Sequence, residues 1–248
     1  MDIVLGLKTK YMSKVIAIHQ PNFFPWLGYF DKIARADVFI FLDDVQFPKT
    51  GGVWTNRVKL IISGKARWVT APIDRTFNGV RVVNEIFFLE NDPWRSKFLK
   101  TLEINYSKHP YFAETMHVIS TLIDYDTDNL ADFNANAITA IAQCLGLDIS
   151  KIIRSSELPV SGYSNELLCD LTLTVGGNIY MCGGGAEAYQ DEAIFQQKSV
   201  ELKQQNFSHP QYKQFNNQGN FIPGLSIIDA LMNLGFNGVR KELIGKNG

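Results

Sequence analysis

The residues best suited to chemistry in this sequence follow two apolar segments near its start. A histidine and two amides come after the first segment and two carboxylates after the second, in the order His19, Gln20, Asn22, Asp43 and Asp44. A histidine titrates near neutrality, so it can act as a general base or hydrogen-bond an acyl or phosphoryl oxygen. Side-chain amides both donate and accept, which suits a polar substrate. Carboxylates can bind a metal, orient the histidine or accept hydrogen bonds from sugar hydroxyls.

A second set of candidates lies further along the chain. It comprises Asn56, Arg57, Cys182, Gly183, Gly184, Gly185, His209 and Tyr212. The guanidinium of Arg57 forms a planar fork that matches phosphate or carboxylate. The thiol of Cys182 precedes a glycine turn, where a lowered pKa would make it a nucleophile with His19 or His209 as its base. The glycines allow a ligand to approach the backbone closely, so that their N–H groups can bind an oxyanion or a phosphate.

Each of these residue types also has an ordinary structural role. A histidine at a strand end can fix a loop, an asparagine can form a turn and an arginine can make a salt bridge. One carboxylate of a pair can bind loop amides while the other is solvated. Buried cysteines are more often inert than reactive, and three glycines can simply form a flexible turn. Trp26 and Tyr29 can stack on a sugar or pack in the core, so both interpretations stay open from the sequence.

Alternating strand and helix patterns position the first set of residues. The runs 15–18 and 37–42 are apolar and end in polar residues, which is typical of buried parallel strands. Between them, residues 26–36 have helical periodicity. The polar face of this helix is formed by Asp31, Lys32 and Arg35. A right-handed crossover would bring His19 and the two aspartates to one edge of the sheet, where open α/β folds bind ligands.

The remainder of the chain extends the α/β pattern. It predicts a hairpin over 58–71, a strand over 80–89, a mainly helical middle region over 92–146, strands near 151–156 and 178–181, and helices over 165–175 and 226–234. We therefore expect a doubly wound, mostly parallel sheet with a helical insertion and a small β-hairpin. We expect residues 15–240 to form one domain, residues 1–14 to be a flexible extension and residues 241–248 to be a tail.

Composition and charge narrow the class of protein. The chain has 248 residues, of which 46% are hydrophobic, and this is enough to fill the core of one large domain. A formal net charge of −1 lacks the basic footprint that nucleic-acid binding requires. No apolar run approaches the roughly 20 residues of a membrane span. Three widely spaced cysteines predict neither a disulfide framework nor a metal site, so we expect a cytoplasmic protein with a small-molecule substrate; the sequence identifies no cofactor.

Five separated motifs together resemble the WbqC-like protein family. In chain order they are IHQPNFFPWLGYFDKI, LDDVQF, the Asn56-Arg57 pair, YMCGGGAEAY, and HPQY followed by IPGLSIIDALMNLG. They cover nearly the whole chain. The resemblance implies a place in bacterial gene clusters for O-antigen and other surface polysaccharides. One motif departs from the family, because its members tend to have a Ser-Gly pair where this chain has Cys182-Gly183.

The resemblance and the candidate residues together lead to an expected function. We expect a transferase that modifies an activated amino sugar by N-acyl or aminoacyl transfer, with a sugar nucleotide as substrate and an acyl donor or carrier protein as partner. In this hypothesis, His19 deprotonates the attacking amine or hydroxyl and Asp43 orients His19. Arg57 holds a phosphate or carboxylate, and the turn 182–185 stabilises developing negative charge. The other expected substrate contacts are Gln20, Asn22, Asp44, Asn56, His209 and Tyr212.

Two other functions stay open from the sequence. The first strand, its histidine- and proline-containing loop and the following helix are similar to the HIGH-signature nucleotidyltransferases, although residues 26–29 stand where the second histidine of that signature would fall. A nucleotidyltransferase or adenylate-forming ligase would bind ATP or another nucleoside triphosphate. A non-catalytic protein of the same pathway would hold a sugar nucleotide or a carrier protein without turnover.

Overall fold

A parallel sheet organises the chain, and a separate antiparallel hairpin accompanies it. The computed structural model describes residues 13–48, 53–184, 190–215 and 220–244. The strands are β1 (Val15–His19), β2 (Val38–Phe41), β3 (Arg57–Ile62), β4 (Lys65–Thr70), β5 (Ile152–Arg154), β6 (Ile179–Cys182) and β7 (Glu201–Gln204). Five of them form the parallel sheet, and β3 pairs with β4 as the hairpin.

The order of the strands creates a topological switch point in the middle of the sheet. The order is β5-β2-β1-β6-β7, and each neighbouring pair is parallel. From β1 the chain proceeds to one edge through β2 and β5, and it later builds the other half with β6 and β7. The order therefore reverses between β1 and β6. In open α/β sheets, ligands bind at the carboxyl ends of the strands beside such a reversal.

Helices cover both faces of the sheet. They are α1 (Leu27–Arg35), α2 (Trp94–Tyr106), α3 (Phe112–Ile123), α4 (Leu130–Cys144), α5 (Ser164–Thr174), α6 (Glu192–Gln197) and α7 (Ile227–Ile244). Ala17 and Met181 face α1, α7 and the helical insertion α2–α4, whereas Ile16 and Tyr180 face α5 and α6. Because the central strands β1, β2 and β6 are buried on both sides, they are continuous apolar runs in the sequence. The predicted doubly wound sheet with a helical insertion is confirmed.

The predicted hairpin is also confirmed. Its turn consists of Ser63 and Gly64, whose φ angles of 51° and 75° are both positive, as the tightest hairpin turns require. The turn closes β3 onto β4 in antiparallel register, with Lys59 opposite Trp68. Strand β4 is largely exposed, so one face of the hairpin is open to solvent.

The strand predicted over 80–89 is wrong. This segment contains a short 3₁₀ helix, Val83–Glu85, and isolated bridges to three other segments instead of a paired strand. Its apolar side chains still reach the core, since Val83 and Ile86 are almost fully buried. Alternation in the sequence reports burial of every second residue, but a strand also needs a neighbour along its length.

The last helix is interrupted by a glycine. Gly235 has a φ of 66° inside α7, and a Cβ at this position would lie 2.6 Å from the ring of Tyr111. The helix predicted over 226–234 matches the part of α7 before the interruption. The part after it runs to Ile244 and so continues into the segment that the sequence assigned to a tail.

Candidate functional site

The loop that follows β1 is held in one conformation by neighbouring side chains. The hydroxyl of Tyr29 donates to the carbonyl oxygen of Gln20 at 2.9 Å. The buried amide of Asn134, on α4, donates to the carbonyl oxygen of Pro21 at 2.9 Å. Both bonds occupy backbone groups of the loop and leave its polar side chains available. The loop is therefore a preorganised support for residues 19–22.

The same loop contains a strained residue. Phe24 has a φ of 42°, in the left-handed region that bulky residues rarely adopt. Its ring is fully buried, and its carbonyl oxygen accepts a hydrogen bond from the hydroxyl of Ser226 at 2.7 Å. The backbone N–H of Ile227 also donates to the carbonyl oxygen of Pro25 at 2.8 Å. The start of α7 thus holds the loop in a conformation that its sequence alone would not favour, a condition that is frequent at functional sites.

His19 is partly buried and uses one ring nitrogen in a hydrogen bond within the described residues. Its Nδ1 lies 3.1 Å from the carbonyl oxygen of Gln20, which can only accept, so Nδ1 carries the hydrogen. Its Nε2 has no hydrogen-bond partner among the described residues and presents a lone pair. The rings of Tyr29 and Trp26 lie 4.8 and 5.6 Å from the imidazole ring and fix its plane.

The imidazole of His19 is neutral at physiological pH. Burial disfavours its charged form, and the positive charge of Lys32 disfavours it further, so that the pKa of His19 falls to about 3. A neutral imidazole with hydrogen on Nδ1 accepts a proton, or a hydrogen bond, at Nε2. Nε2 of His19 therefore accepts a hydrogen bond at physiological pH, and it becomes an effective base when a bound ligand raises the pKa of the imidazole.

Lys32 is the main site residue that the sequence did not identify. It lies on the polar face of α1, yet it is only 4% exposed. The segment after β7 covers this face: the amide of Gln205 donates to the carbonyl oxygen of Gly28 at 2.7 Å and to the carboxylate of Asp31 at 2.8 Å. The ammonium of Lys32 has no hydrogen-bond or ion-pair partner among the described residues. Burial lowers the pKa of Lys32 to about 8.

The glycine turn after β6 lies directly beside this ammonium. A Cβ added to Gly183 would be 3.4 Å from Nζ of Lys32. Gly184 is exposed and has nothing within 4 Å of its hypothetical Cβ. Gly185, the third glycine of the predicted turn, lies outside the described residues. The backbone at Gly183 and the ammonium therefore lie side by side at the carboxyl end of β6.

Two amide side chains complete this part of the molecule. Those of Gln20 and Asn22 make no hydrogen bonds with the described residues, although Asn22 is only 3% exposed. Their amide groups are therefore available to donate and accept hydrogen bonds with a polar ligand. We name this place the β1–β6 crevice. It is defined by His19, Gln20, Asn22, Lys32, Gly183 and Gly184.

The two aspartates at the end of β2 are occupied by hydrogen bonds. The buried carboxylate of Asp43 accepts from the backbone N–H of Ser156 at 3.1 Å and from the hydroxyl of Ser156 at 2.9 Å. The hydroxyl of Ser155 lies between Asp43 and Asp44, and Nη1 of Arg154 is 3.7 Å from Asp43. These contacts join the ends of β2 and β5. The predicted contact between Asp43 and His19 is not among the hydrogen bonds of His19 with the described residues.

Arg57 lies on the hairpin at the end of a row of aromatic rings. Its guanidinium is 4.1 Å from the ring centre of Trp68. Trp68 is 4.7 Å from Trp54, which is 4.9 Å from Trp26, the neighbour of His19. Arg57 is thus connected to the crevice through three tryptophans and does not contact His19. The adjacent Asn56 is buried and donates to the carbonyl oxygen of Ala71 at 3.0 Å, which fixes the base of the hairpin.

Cys182 lies at the end of β6 but faces away from the crevice. It is fully buried and packs with the side chains on the α5 and α6 face of the sheet. Its Sγ donates to Oε1 of Gln204 at 3.1 Å. His19 faces α1, so the structure does not bring this thiol and the imidazole together.

His209 and Tyr212 lie in the segment after β7. His209 lines a depression of about 450 Å³. Among the described residues, Gln211, Asn220, Phe221 and Pro223 also line it. The hydroxyl of Tyr212 donates to the carboxylate of Asp229 at 2.8 Å, and the hydroxyl of Tyr106 reaches the other oxygen at 3.1 Å. Asp229, which the sequence did not identify as special, is fully buried, and burial raises its pKa to about 6.

Two further findings concern the described part of the chain as a whole. None of its helices combines the length and the apolar character that a membrane crossing demands. Within the same residues, no group of three or more His, Cys, Asp or Glu side chains is arranged to hold a metal ion.

Comparisons with known proteins agree with the resemblance seen in the motifs. The chain matches the WbqC-like protein family over residues 20–241. A relative from Mycobacterium tuberculosis (strain ATCC 25618 / H37Rv), "Uncharacterized protein Rv1507c", is 30% identical over 224 residues, which cover 90% of this chain and 94% of that protein. No solved structure matches the chain significantly. Because the family match extends over most of the chain, the chain belongs to the WbqC-like protein family.

Proposed function

We propose that this protein is a transferase of bacterial surface-glycan biosynthesis that modifies an activated amino sugar in the β1–β6 crevice. The observation that carries the proposal is the neutral His19 at the point where the strand order reverses, with an Nε2 that no described residue engages. The unpartnered amides of Gln20 and Asn22 follow it directly along the chain. This combination of one proton acceptor with several hydrogen-bonding groups suits a polar substrate that must lose a proton as it reacts.

In the proposed reaction, the amino group of the sugar attacks the acyl carbon of an acyl or aminoacyl donor. The new bond is the amide C–N bond, and the bond that breaks joins the acyl carbon to the thiol or oxygen of the donor. His19 accepts the proton that the amine loses, and this proton then passes to the leaving thiolate or oxyanion. The backbone at Gly183 and Gly184 lies where N–H groups could stabilise the negative charge that develops on the acyl oxygen.

Other residues support this chemistry from further away. Asp43 joins β2 to β5 through Ser155 and Ser156, so we assign it to positioning the edge of the crevice. The row from Trp26 to Trp68 offers ring faces on which a sugar can stack, and Arg57 at its end can hold a carboxylate or phosphate of a longer substrate.

Nucleotidyl transfer or adenylate formation is the second candidate function. The observation in its favour is the strand order, with the histidine at the end of the central strand, since nucleotides bind at this position in many open α/β sheets. Such an enzyme would consume a nucleoside triphosphate and release pyrophosphate or a nucleoside monophosphate.

Mass spectrometry of reaction mixtures tests the proposal. The purified protein is incubated with nucleotide-activated amino sugars and acyl or aminoacyl thioesters, with and without ATP. We expect an acylated sugar in the absence of ATP, and we expect its formation to be abolished in His19→Gln. His117→Gln is the matched control, because His117 is exposed on α3. Product that forms only with ATP would favour the second candidate, and saturable binding without any product would favour a non-catalytic binding protein.

A further inference from the structure

We infer that Lys32 binds a phosphate group of the ligand, in the space between its ammonium and the Gly183–Gly184 turn. The inference rests on the proposed function for the location of the site, and it adds the group that gives the ligand its charge. It also assigns a role to Lys32, which takes no part in the proposed proton transfer.

The burial of Lys32 is unusual because its ammonium has no hydrogen bond and no carboxylate partner among the described residues. Lysine is almost never fully buried unless it is paired, since removing an ammonium from water is costly. Less buried lysines of this chain have partners: Nζ of Lys14 donates to the carbonyl oxygen of Val175 at 2.6 Å, and Nζ of Lys151 donates to that of Ala36 at 2.6 Å. Lys32 is only 4% exposed and has no such partner among the described residues.

The acidic residue next to Lys32 in the sequence does not neutralise it. The carboxylate of Asp31 accepts from the amide of Gln205 at 2.8 Å and from the guanidinium of Arg35 at 3.2 Å. Asp31 is therefore already compensated by a cation of its own. Among the described residues, the ammonium of Lys32 therefore has no carboxylate partner, and a negatively charged ligand would supply one.

The surroundings favour a compact, strongly charged anion. Lysine binds phosphate as a compact point charge, and the interaction grows with the charge of the anion. Gly183 has no side chain, and a Cβ there would lie in contact with Nζ, at 3.4 Å, so the glycine leaves room for an anion beside the ammonium. The diphosphate of a nucleotide-activated sugar has this chemistry and would place its sugar near His19.

Phosphate binding at Lys32 would also prepare His19 for its role. The positive charge of Lys32 is one of the two causes that lower the pKa of His19. An anion beside Lys32 offsets that charge and so raises the affinity of Nε2 for a proton. Binding of the ligand would thus raise the pKa of His19, the residue that accepts the proton from the ligand's amine.

Titration calorimetry at pH 7 tests this inference with inorganic pyrophosphate as the probe. We expect pyrophosphate to bind the wild-type protein and its affinity to fall about ten- to a hundredfold in Lys32→Met, the range for losing one hydrogen bond to a charged group. Lys100→Met, on the exposed side of α2, removes the same charge elsewhere and should leave the affinity unchanged. Uridine diphosphate and malonate are titrated in parallel, to distinguish a nucleotide phosphate from a carboxylate.

The outcomes separate this inference from the proposed function. Equal pyrophosphate affinity in wild type and Lys32→Met, no binding by the wild type, or tighter binding of malonate than of both phosphates would each overturn the inference. Lys32-dependent pyrophosphate binding without any acylated sugar would support the inference and contradict the transferase. If Lys32→Met does not fold, Gly183→Ala takes its place, since it fills the same space while keeping the lysine, and it should weaken pyrophosphate binding as well.

Discussion

The side chains of His19 and Cys182 leave adjacent parallel strands on opposite faces of the sheet. Successive side chains of a strand alternate between its two faces. Ile18 and Tyr180 both pack on the face that α5 and α6 cover. His19 directly follows Ile18 and so lies on the opposite face, against α1. Cys182 lies two residues after Tyr180 and so faces α5 and α6 as well. The nucleophile candidate Cys182 and the base candidate His19 therefore lie at the ends of neighbouring strands, but on opposite faces of the sheet.

This arrangement predicts an unreactive thiol at Cys182. With iodoacetamide at pH 8, we expect the folded protein to be alkylated at the exposed Cys144 and protected at the buried Cys169 and Cys182. Peptide mass spectrometry locates the label, and protein unfolded in urea is the control in which all three cysteines react. Rapid alkylation of Cys182 in the folded protein would show that its thiol reaches the crevice.

Asp43 is expected to be structural. Replacing Asp43 by Asn puts an amide where three donors now meet a carboxylate, so we expect a loss of about 2–3 kcal/mol in the free energy of unfolding. The matched control is Asp44→Asn, since Asp44 is only partly buried and should lose less. Urea denaturation measures both. Full stability of Asp43→Asn combined with lost turnover would instead support the orienting role expected from the sequence.

His19 is expected to stay neutral in the weakly acidic range. Its pKa of about 3 lies below the ordinary value of 6.5, so between these values the unfolded chain binds a proton that the folded chain does not. This residue therefore makes the protein less stable as the pH falls below about 6.5. The groups that act on the imidazole are Lys32 of α1 and the carbonyl oxygen of Gln20.

NMR titration of the imidazole resonances between pH 4 and 8 checks this expectation. The chain has four histidines, and His19→Gln identifies the signal of His19. We expect no titration of this signal in that range, and we expect Lys32→Met to raise its pKa by removing the positive charge. A midpoint near 6.5 in the wild type would contradict the described surroundings of His19.

Tyr212 is expected to stabilise the fold through Asp229. Tyr212→Phe removes one of the two tyrosine hydroxyls that donate to this buried carboxylate, which should lower the free energy of unfolding by about 1–3 kcal/mol at pH 8. Tyr163→Phe is the control, because Tyr163 is 88% exposed. The loss should shrink as the pH falls through about 6, where Asp229 becomes protonated. A pH-independent effect would mean that the hydroxyl does not act on the carboxylate.

Much of the fold follows directly from the hydrophobic pattern. The strand ending at His19, the helix α1 and the strand β2 could all be predicted, because a buried parallel strand and an amphipathic helix each have a distinct periodicity. The segment 80–89 could not, since its alternation describes which side chains are buried and not which strand, if any, lies beside them.

The candidate site was predictable only in part, for a similar reason. His19, Gln20 and Asn22 could be located because they follow a strand directly. Lys32 could not, because the helical pattern assigns it to the polar face of α1, and the cover over that face comes from Gln205, far away in the chain. Only its position inside the first family motif offered a signal. Asp229 is similar, since its partners come from α2 and from the segment after β7.

The most direct test of the central claim is an NMR titration that locates the ligand. The ¹⁵N-labelled protein is titrated with UDP-glucosamine, and the shifts of backbone and side-chain amides are mapped. We expect them to change at Gln20, Asn22 and Gly183 in the β1–β6 crevice, and to be lost in Lys32→Met. Shifts confined to the depression around His209 and Phe221, with the crevice unaffected, would contradict the account.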